Sequence, residues 1–492
     1  MKRYLLIIML LTVTTAISSQ EWTSVELNRH ITHPQPMTGL VLWPDLAKDE
    51  NSKYGNVITL EFSYCLPCYV VKGCNSDGSI IYDWTWFDNI LEDVSSRGHQ
   101  LIARFRYEYP GGNDIKGAVK GSTAVPQYIK DRSDYHETYT SNPGGDGPTF
   151  YADWSNDELK RFTKQFYTDF AERYGKDNRL AFLEVGFGHW SEYHIYGTEL
   201  QFGVNFPTKE YQKEFLTHLS TVMTDIPWAV SIDAADDEYS PVVDDDELMA
   251  LGFGLFDDSF MHKDHEIGTN DGYNEECWNA IGQGTRWQNG VCGGEISYYK
   301  SSDQKDFLNP KGMYGHTWEE QASKYHITFM IANDAYKGKY ATTDRFCEAT
   351  MATGYRFKVK SCETDGTITR LTVTNEGIAP LYRDAFFAIG NVRSETSLKW
   401  LLPNEELVVE INVPLRNGDD LSIVSDNILN GQEIEFEAEI SGTGGDTFIG
   451  GITVSNPTAS GDENAPLYNI NGQKVSKDYH GIIIQNGKKR IN

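Results

Sequence analysis

The sequence predicts an α/β protein: a (β/α)8 TIM barrel followed by a C-terminal antiparallel β-sandwich. Between about residues 39 and 335, short apolar runs alternate with helical stretches, which is the pattern of βα units around a parallel sheet. After about residue 354, short segments alternate apolar and polar residues between turn signals, which is typical of an antiparallel sandwich. A chain of 492 residues is long enough for both.

Eight apolar runs are the candidate barrel strands, and their continuous apolar character fits strands buried on both faces. They are Leu40–Trp43, Val57–Tyr64, Gln100–Tyr107, Leu180–Phe187, Trp228–Asp233, Gly252–Phe256, Gly290–Glu295 and His326–Ile331. The helices predicted between them are Trp84–Arg97, Asn156–Tyr174, Thr208–Thr224, Asp245–Leu251 and Trp318–Tyr325. In the second helix Ser155 is the predicted cap, and a stripe of Phe162, Phe166 and Phe170 predicts core packing.

Five parts are predicted along the chain: a signal peptide at 1–19, a barrel at 30–353, a sandwich at 354–455, a linker at 456–465 and a tail at 466–492. Lys2 and Arg3 precede an apolar run and then small residues, which is the pattern of a secretory signal peptide. The run is too short for a permanent membrane span. We therefore expect a protein that is secreted or displayed at the cell surface.

The predicted sandwich strands are separated by turn signals. They are Tyr355–Lys360, Ile368–Val373, Ala385–Ile389, Glu406–Ile411 and Glu433–Ile440. The tail is expected to form two strands around a turn, with a basic end.

Charge and cysteine content exclude several kinds of function. The formal net charge of −28 repels phosphate backbones and anionic lipids, whereas a neutral substrate tolerates it. Seven cysteines in an exported chain allow disulfides, and the odd number leaves at least one unpaired. Cys65 and Cys68 have redox-motif spacing, but no second such pair accompanies them, so a loop-bracing disulfide or buried thiols are favoured.

Two glutamates at strand ends are the candidate catalytic residues. Glycoside hydrolysis needs one protonated and one ionised carboxyl group beside the scissile bond, and the strand ends of a barrel are rigid mounts for both. Glu192 follows the fourth strand between Trp190 and Tyr193, an aromatic setting that raises a carboxyl pKa and suits a general acid. Glu295 ends the seventh strand after two glycines, which we expect to let a substrate approach.

Glu184 is the rival for the acid role. It lies within an apolar strand, where an unpaired carboxylate is costly, so a pairing with Arg104 on the third strand is expected. Arg104 is equally able to bind substrate. The full set of predicted substrate-binding residues is Arg104, Tyr107, Trp190, Tyr193, His194, Asp233, Asp257 and Asp258, and Trp43 is either a stacking platform or part of the core.

No cofactor or metal site is predicted from these patterns. The histidines lack zinc-binding spacing, and neither a phosphate-binding loop nor a nucleophilic-serine elbow occurs. Two oxygen-rich acidic sets leave calcium open as an alternative. They are Asp233 with Asp236 and Asp237, and Asp257 with Asp258 and Asp264.

Two resemblances support this interpretation. The last 27 or so residues, with Leu467–Val475 and then Gly481–Ile484, resemble the sorting tails of exported Bacteroidetes proteins, which implies type IX secretion machinery as a partner. The segments Leu101–Tyr107, Gly188–His194, Gly254–Phe260 and Gly293–Glu295 resemble an uncharacterised Bacteroidetes family of glycosidase-like barrels, made of two adjoining domains of unknown function. The sequence departs from that family at Ser191, where glycine is usual, and at His33–Gly39.

The sequence therefore predicts a secreted, retaining glycoside hydrolase with Glu192 as acid/base and Glu295 as nucleophile. Its substrate is expected to be an extracellular polysaccharide of plant type, and long loops on the active-site face favour endo action. The alternative is a non-catalytic, glycan-binding surface protein on the same barrel. A polysaccharide lyase using tyrosine, histidine and arginine is a third, weaker hypothesis.

Overall fold

The predicted barrel is present as a closed ring of eight parallel strands. The computed structural model describes residues 21–112, 115, 118–282, 284–416 and 418–442, and four short strands between 467 and 491. The barrel strands are β1 (Gly39–Leu42), β2 (Leu60–Cys65), β3 (Gln100–Phe105), β4 (Leu180–Val185), β5 (Trp228–Ser231), β6 (Gly254–Phe260), β7 (Cys292–Ile296) and β8 (Phe329–Ile331). β8 pairs with β1 and closes the ring. All eight strand predictions are confirmed, although the observed bounds differ by a few residues.

Helices follow the strands and cover the ring. Those of the described residues are Pro44–Asp49, Asn51–Tyr54, Pro67–Val70, Thr85–Ser95, Gln127–Lys130, Asp157–Tyr174, Lys209–Val222, Asp246–Met249, Tyr273–Ala280, Asp303–Asp306, Trp318–Lys324 and Thr343–Met351. In the longest, Phe162, Phe166 and Phe170 are buried as predicted. The cap is Asn156 rather than Ser155, because the Asn156 side chain accepts the backbone N–H groups of the first turn.

The two C-terminal sheets share one core, and the larger sheet also contains two short strands from the N-terminal part of the described chain. The larger sheet holds Glu406–Ile411, Thr369–Asn375, Phe357–Thr364, Glu437–Ile440 and Leu27–Arg29 in that order, with Thr23–Ser24 beside Phe357–Thr364. The smaller sheet holds Val392–Arg393, Phe386–Ile389 and Leu421–Val424. Every pair is antiparallel except Phe357–Thr364 with Glu437–Ile440, which is parallel. The two N-terminal strands were not predicted, since each has only two or three residues.

The sandwich packs against the end of the barrel at which strand β4 begins. Arg383 is 2% exposed, and its guanidinium donates hydrogen bonds to the carbonyl oxygens of Leu180 and Ala181 at 2.8 and 3.1 Å. These carbonyls lie at the start of β4, away from the strand ends that carry the candidate site. The Tyr382 hydroxyl donates to the Trp287 carbonyl at 2.6 Å. The barrel and sandwich accordingly belong to one compact unit that extends to Thr443.

The second compact unit is the chain from Gly444 to Asn492. Its described strands form one antiparallel sheet in the order Lys474–Val475, Leu467–Asn469, Ile482–Gln485, Lys488–Ile491. Four strands are present where two were predicted. The predicted signal peptide at 1–19 and linker at 456–465 lie outside the described residues.

Three further observations concern the whole described chain. All seven cysteines are free thiols; Cys65 is buried and Cys68 is partly buried, so this pair forms thiols rather than a loop-bracing disulfide. No described helix combines the length and the apolar character that a membrane crossing requires. The connection after β3 contains a hairpin, Thr138–Thr140 with Thr149–Tyr151, and the one after β2 contains Val71–Cys74 with Ile80–Tyr82.

Candidate active site

A buried arginine lies at the centre of the carboxyl ends of the barrel strands. Arg104 on β3 is fully buried; its Nε donates to Glu184 Oε2 at 2.7 Å. Its two terminal nitrogens donate to Asp258 Oδ2 and Oδ1, at 2.6 and 3.1 Å. The guanidinium also lies 4.0 Å from the centre of the Phe256 ring. Arg104 is therefore held on three sides, as a bidentate partner of Asp258 and a second partner of Glu184.

Strand register explains why Glu184 and Arg104 meet. The two residues are direct partners in the parallel pairing of β3 with β4, so their side chains point to the same face. The predicted pairing of Glu184 with Arg104 is confirmed. The pKa of Glu184 is raised to about 7, because burial and the charge of Asp258 together outweigh the lowering effect of Arg104. Glu184 is completely buried, so it serves the site by fixing Arg104 rather than by reaching a substrate.

Glu192 is placed by a tight turn after β4. The turn His189–Ser191 puts Trp190 and Ser191 at φ 59° and 65°, a left-handed conformation that is costly for side chains other than glycine. The Ser191 hydroxyl lies 3.1 Å from both the Phe105 and the Gly186 carbonyl oxygens, which pins the turn onto β3 and β4. A strained turn that the surrounding structure holds this firmly is typical of a functional site.

The carboxyl group of Glu192 is set up to hold a proton. Burial raises its pKa well above the usual value, and the negative charges of Asp258 and Asp233 raise it further, while Arg104 acts in the opposite direction. A hydrogen bond with Asp233 also favours the protonated form. The side chain still has 13% of its surface exposed, so the proton can be delivered to a ligand in the cleft.

Glu295 lies across the site on β7. Burial, together with the charges of Asp258 and Glu184, raises its pKa well above the usual value, although Arg104 and a hydrogen bond with the Gln304 side chain act in the opposite direction. Its Oε1 atom is buried and has no hydrogen-bond partner among the described residues, and a buried acceptor of this kind is costly unless a ligand uses it. Glu192 and Glu295 therefore share Arg104 and Asp258 as electrostatic neighbours.

The two glycines before Glu295 have a different role from the predicted one. A Cβ on Gly293 would lie 2.5 Å from the Phe329 carbonyl oxygen, and one on Gly294 would lie 2.1 Å from the Asp257 carbonyl oxygen. They allow β7 to pack closely between β6 and β8, and they do not open space for a substrate. The expectation of a glycine-opened approach is corrected accordingly.

His194 and Asp233 complete the acidic side of the site. The Nδ1 atom of His194 lies 2.7 Å from Asp233 Oδ2 and 3.9 Å from Glu192 Oε2. Asp233 follows β5, and the Ser231 hydroxyl accepts its backbone N–H. Both side chains are partly exposed, at 17% and 14%, so they are able to contact a bound sugar. The sequence-based placement of both at the site agrees with this geometry.

Three predicted substrate-binding residues do not face the cleft. Tyr107 is buried in the core, where its hydroxyl lies 2.7 Å from Thr163 Oγ1. Tyr193 is also in the core, packed between Phe187 and Phe206. Asp257 is fully buried and accepts hydrogen bonds from the side chains of Asn274 and Trp278, and pairs with His265 at 2.8 Å. All three predictions are corrected, because none of these side chains can reach a ligand.

An aromatic path runs along the rim, and of its members the sequence predicted Trp190 and, as one of two alternatives, Trp43, but not Tyr64. The ring centre of Tyr64, at the end of β2, lies 5.8 Å from that of Trp190 and 5.7 Å from that of Trp43. The guanidinium of Arg106 lies over Tyr64 at 3.9 Å and Trp190 at 4.7 Å. Beyond Glu295, Tyr298 is 49% exposed. Tyr64 and Tyr298 lie close to the carboxyl ends of β2 and β7, and this position is the sequence signal that points to them as site residues.

The two acidic sets that left calcium open do not converge on a common point among the described residues. Among the described residues, the group of three metal-ligating side chains whose atoms lie within 4.8 Å of one another is Glu192, His194 and Asp233. Neither acidic set that left calcium open forms such a group in the same part of the chain. These three side chains include Asp233, whose charge favours the protonated form of Glu192.

Comparisons with known proteins add structural likenesses of low identity. Neither a protein-family model nor a curated protein matches the sequence. Similar solved structures include an endo-glycoceramidase II from Rhodococcus sp. as a lactosyl-enzyme intermediate, at 10% identity and a TM-score of 0.40, over 80% of this chain and 100% of that one. The β-amylase catalytic domain of Paenibacillus polymyxa is similar at 11% identity and 0.37, over 65% and 99%. A glycoside hydrolase family 5 enzyme of Prevotella bryantii B14 is similar at 12% and 0.32, over 65% and 86%. The site is assigned from its own geometry.

Two tyrosine hydroxyls in the core test the corrected placement. The Tyr193 hydroxyl is buried without a partner among the described residues, whereas that of Tyr107 is bonded to Thr163. We expect Tyr193→Phe to leave the free energy of unfolding unchanged or to raise it by about 1 kcal/mol, and Tyr107→Phe to lower it by about 1 kcal/mol. Urea denaturation measures both. Equal losses in the two variants would contradict the assignment.

Proposed function

We propose that the protein is a secreted, retaining glycoside hydrolase that cleaves a neutral extracellular polysaccharide. The observation that carries the proposal is the pair Glu192, in the turn after β4, and Glu295, near the end of β7, two carboxyl groups that share Arg104 and Asp258 as electrostatic neighbours. Two such groups with different neighbours are what glycosidic-bond cleavage requires.

The neighbours of the two carboxyl groups assign their roles. Asp233 is a negatively charged neighbour that raises the pKa of Glu192. Glu192 therefore keeps its proton and is the donor to the leaving oxygen. Burial also raises the pKa of Glu295, but the Gln304 side chain stabilises its ionised form, so Glu295 is assigned the attack on the anomeric carbon. The C1–O bond breaks as the Glu295–C1 bond forms. Glu192 then takes a proton from water as the water oxygen attacks C1, and the C1–Glu295 bond breaks, which frees the Glu295 carboxylate and releases the sugar with its configuration retained.

The charge of the molecule favours a neutral substrate. The site holds several carboxyl groups around one arginine, and the net charge of −28 extends the negative potential beyond it. An acidic polysaccharide would be repelled by both. The long loops after β3, β4 and β6 favour endo action. Plant-type polymers with neutral backbones are the substrates that we propose. Export rests on the pattern of residues 1–19 and on the sorting-type tail at 466–492, which supports type IX secretion.

Glutamine substitutions test the catalytic roles. We expect Glu192→Gln and Glu295→Gln each to lower kcat on a hydrolysed polysaccharide by at least about 100-fold, because an amide can neither donate the proton nor attack. With an aryl glycoside whose leaving group needs no proton, Glu192→Gln should retain the glycosylation step and Glu295→Gln should not. Reducing-end release and aryl-group release are the measurements.

Glu199→Gln is the matched control, since Glu199 is an exposed glutamate in the same connection. It should keep the turnover of the unchanged protein. Unaltered turnover in both active-site variants would contradict the proposal. Binding of a glycan by the unchanged protein without any release of reducing ends would favour the glycan-binding alternative instead.

The pH profile tests the influence of Asp233 on Glu192. Activity should fall as the pH rises through the pKa of Glu192, because the deprotonated acid no longer protonates the leaving group. Asp233 raises that pKa, so Asp233→Asn should move the alkaline limb of kcat to lower pH. Asp237→Asn, at an exposed position nearby, should leave the limb in place. An unmoved limb in Asp233→Asn would contradict this role.

A further inference from the structure

A groove on the active-site face lies outside the group of carboxyl residues. It has a volume of about 490 Å³ and lies between the ends of β1 and β2 and the helix Thr85–Ser95. Trp43 directly follows β1, Ser63 is on β2, and Asn333 comes two residues after β8. The groove therefore opens at the carboxyl ends of the strands, on the same face as Glu192 and Glu295. Its volume is within the range of about 300 to 1,000 Å³ that is usual for ligand sites.

The lining of this groove combines aromatic rings with hydroxyl-binding groups. Trp43 is 36% exposed, and Trp86 is half-buried on the helix with Asn89 one turn further along. The Asn333 side-chain oxygen accepts the backbone N–H of Trp43 at 3.1 Å, which fixes the wall at that point. A pyranose ring has an apolar face of C–H groups and a rim of hydroxyls. The indole faces match the first, and the amide and serine groups match the second.

Aromatic contacts connect the groove with the catalytic centre. The ring of Trp43 lies 5.7 Å from that of Tyr64, and Tyr64 lies 5.8 Å from Trp190 in the turn that carries Glu192. Tyr64 also lies 5.4 Å from the guanidinium of Arg104. The aromatic path therefore leads from the groove towards the residues that surround the carboxyl pair.

We propose that this groove is a distal subsite that binds a pyranose unit of the same neutral glycan chain, away from the bond that is cleaved. The inference rests on the proposed function and extends it to the length of chain that is recognised. The charged residues lining the groove are Asp45 and Asp93; Asp93 is paired with Arg97 and Lys48, so Asp45 is the residue that disfavours an anionic sugar there. The subsite adds affinity for long chains and positions them across Glu192 and Glu295.

Affinity as a function of chain length tests the subsite. The probes are the di- to hexasaccharides of cellulose, β-mannan and xylan, with oligogalacturonate as the anionic comparison. Calorimetry is carried out on the full chain with Glu295→Gln, so that bound probes are not hydrolysed. We expect Trp43→Ala and Trp86→Ala to weaken binding of the neutral hexasaccharide about tenfold and to abolish most of the affinity gained between tri- and hexasaccharide.

Two further variants guard against loss of folding. Asn89→Ala changes an exposed helix position to the best helix former and should still weaken the hexasaccharide, by a smaller factor. Trp400→Ala is the matched control, since Trp400 is a tryptophan of the sandwich with 40% exposure, and it should leave all affinities unchanged. Trp43→Phe should restore part of the affinity that Trp43→Ala loses.

The outcomes separate the two proposals. If the glutamate variants lose turnover while the Trp43, Trp86 and Asn89 variants bind every probe as the parent does, the subsite is overturned and the hydrolase stands. The opposite outcome is that the tryptophan variants lose the affinity gained between tri- and hexasaccharide, while turnover is absent or is unchanged by both glutamate substitutions. In that case the groove is confirmed as a subsite and the hydrolase proposal is overturned. Failure of all the probes to bind, or preference for oligogalacturonate, overturns the subsite.

Discussion

The ion pairs of Arg104 are the interaction on which the site depends. One fully buried guanidinium pairs with both Glu184 and Asp258, and three more carboxyl groups, those of Glu192, Asp233 and Glu295, surround this cluster. Like charges at such short range cannot all be ionised in a poorly solvated cleft. Some of these carboxyl groups therefore stay protonated, and their positions relative to Arg104 and to one another determine which ones. Removing the guanidinium would leave buried carboxylates without compensation, which costs several kcal/mol.

The backbone around Arg104 is built to hold this arrangement. The register of β3 with β4 places Glu184 beside it, close packing at Gly294 brings β7 against β6, and the strained turn at Trp190 aims Glu192. Each device lies at the carboxyl end of a strand, whereas the sandwich contacts the opposite end through Arg383. Stability and chemistry are thus assigned to different ends of the barrel.

The barrel could be predicted because its strands are buried on both faces and so appear as continuous apolar runs, and Glu192 and Glu295 could be located because strand ends carry the site. The direction of a loop side chain could not. Tyr193 and Glu192 are neighbours, yet one enters the core and the other the cleft, because the backbone is extended again at Glu192 and successive side chains point to opposite sides. Asp257 and Asp258 also diverge, because successive strand residues face opposite ways. The N-terminal sheet strands and the Trp43 groove depend on contacts between distant segments, which have no local pattern.

The most direct measurement of the central claim is the mass of the peptide that contains Glu295 after reaction with a slow, activated 2-deoxy-2-fluoro glycoside of the sugar that the protein releases. Such a substrate forms the glycosyl-enzyme faster than water removes it. The account predicts one glycosyl adduct, on Glu295, that is absent from Glu295→Gln. An adduct on another residue, or turnover of the polysaccharide with inversion at the anomeric carbon, would contradict it.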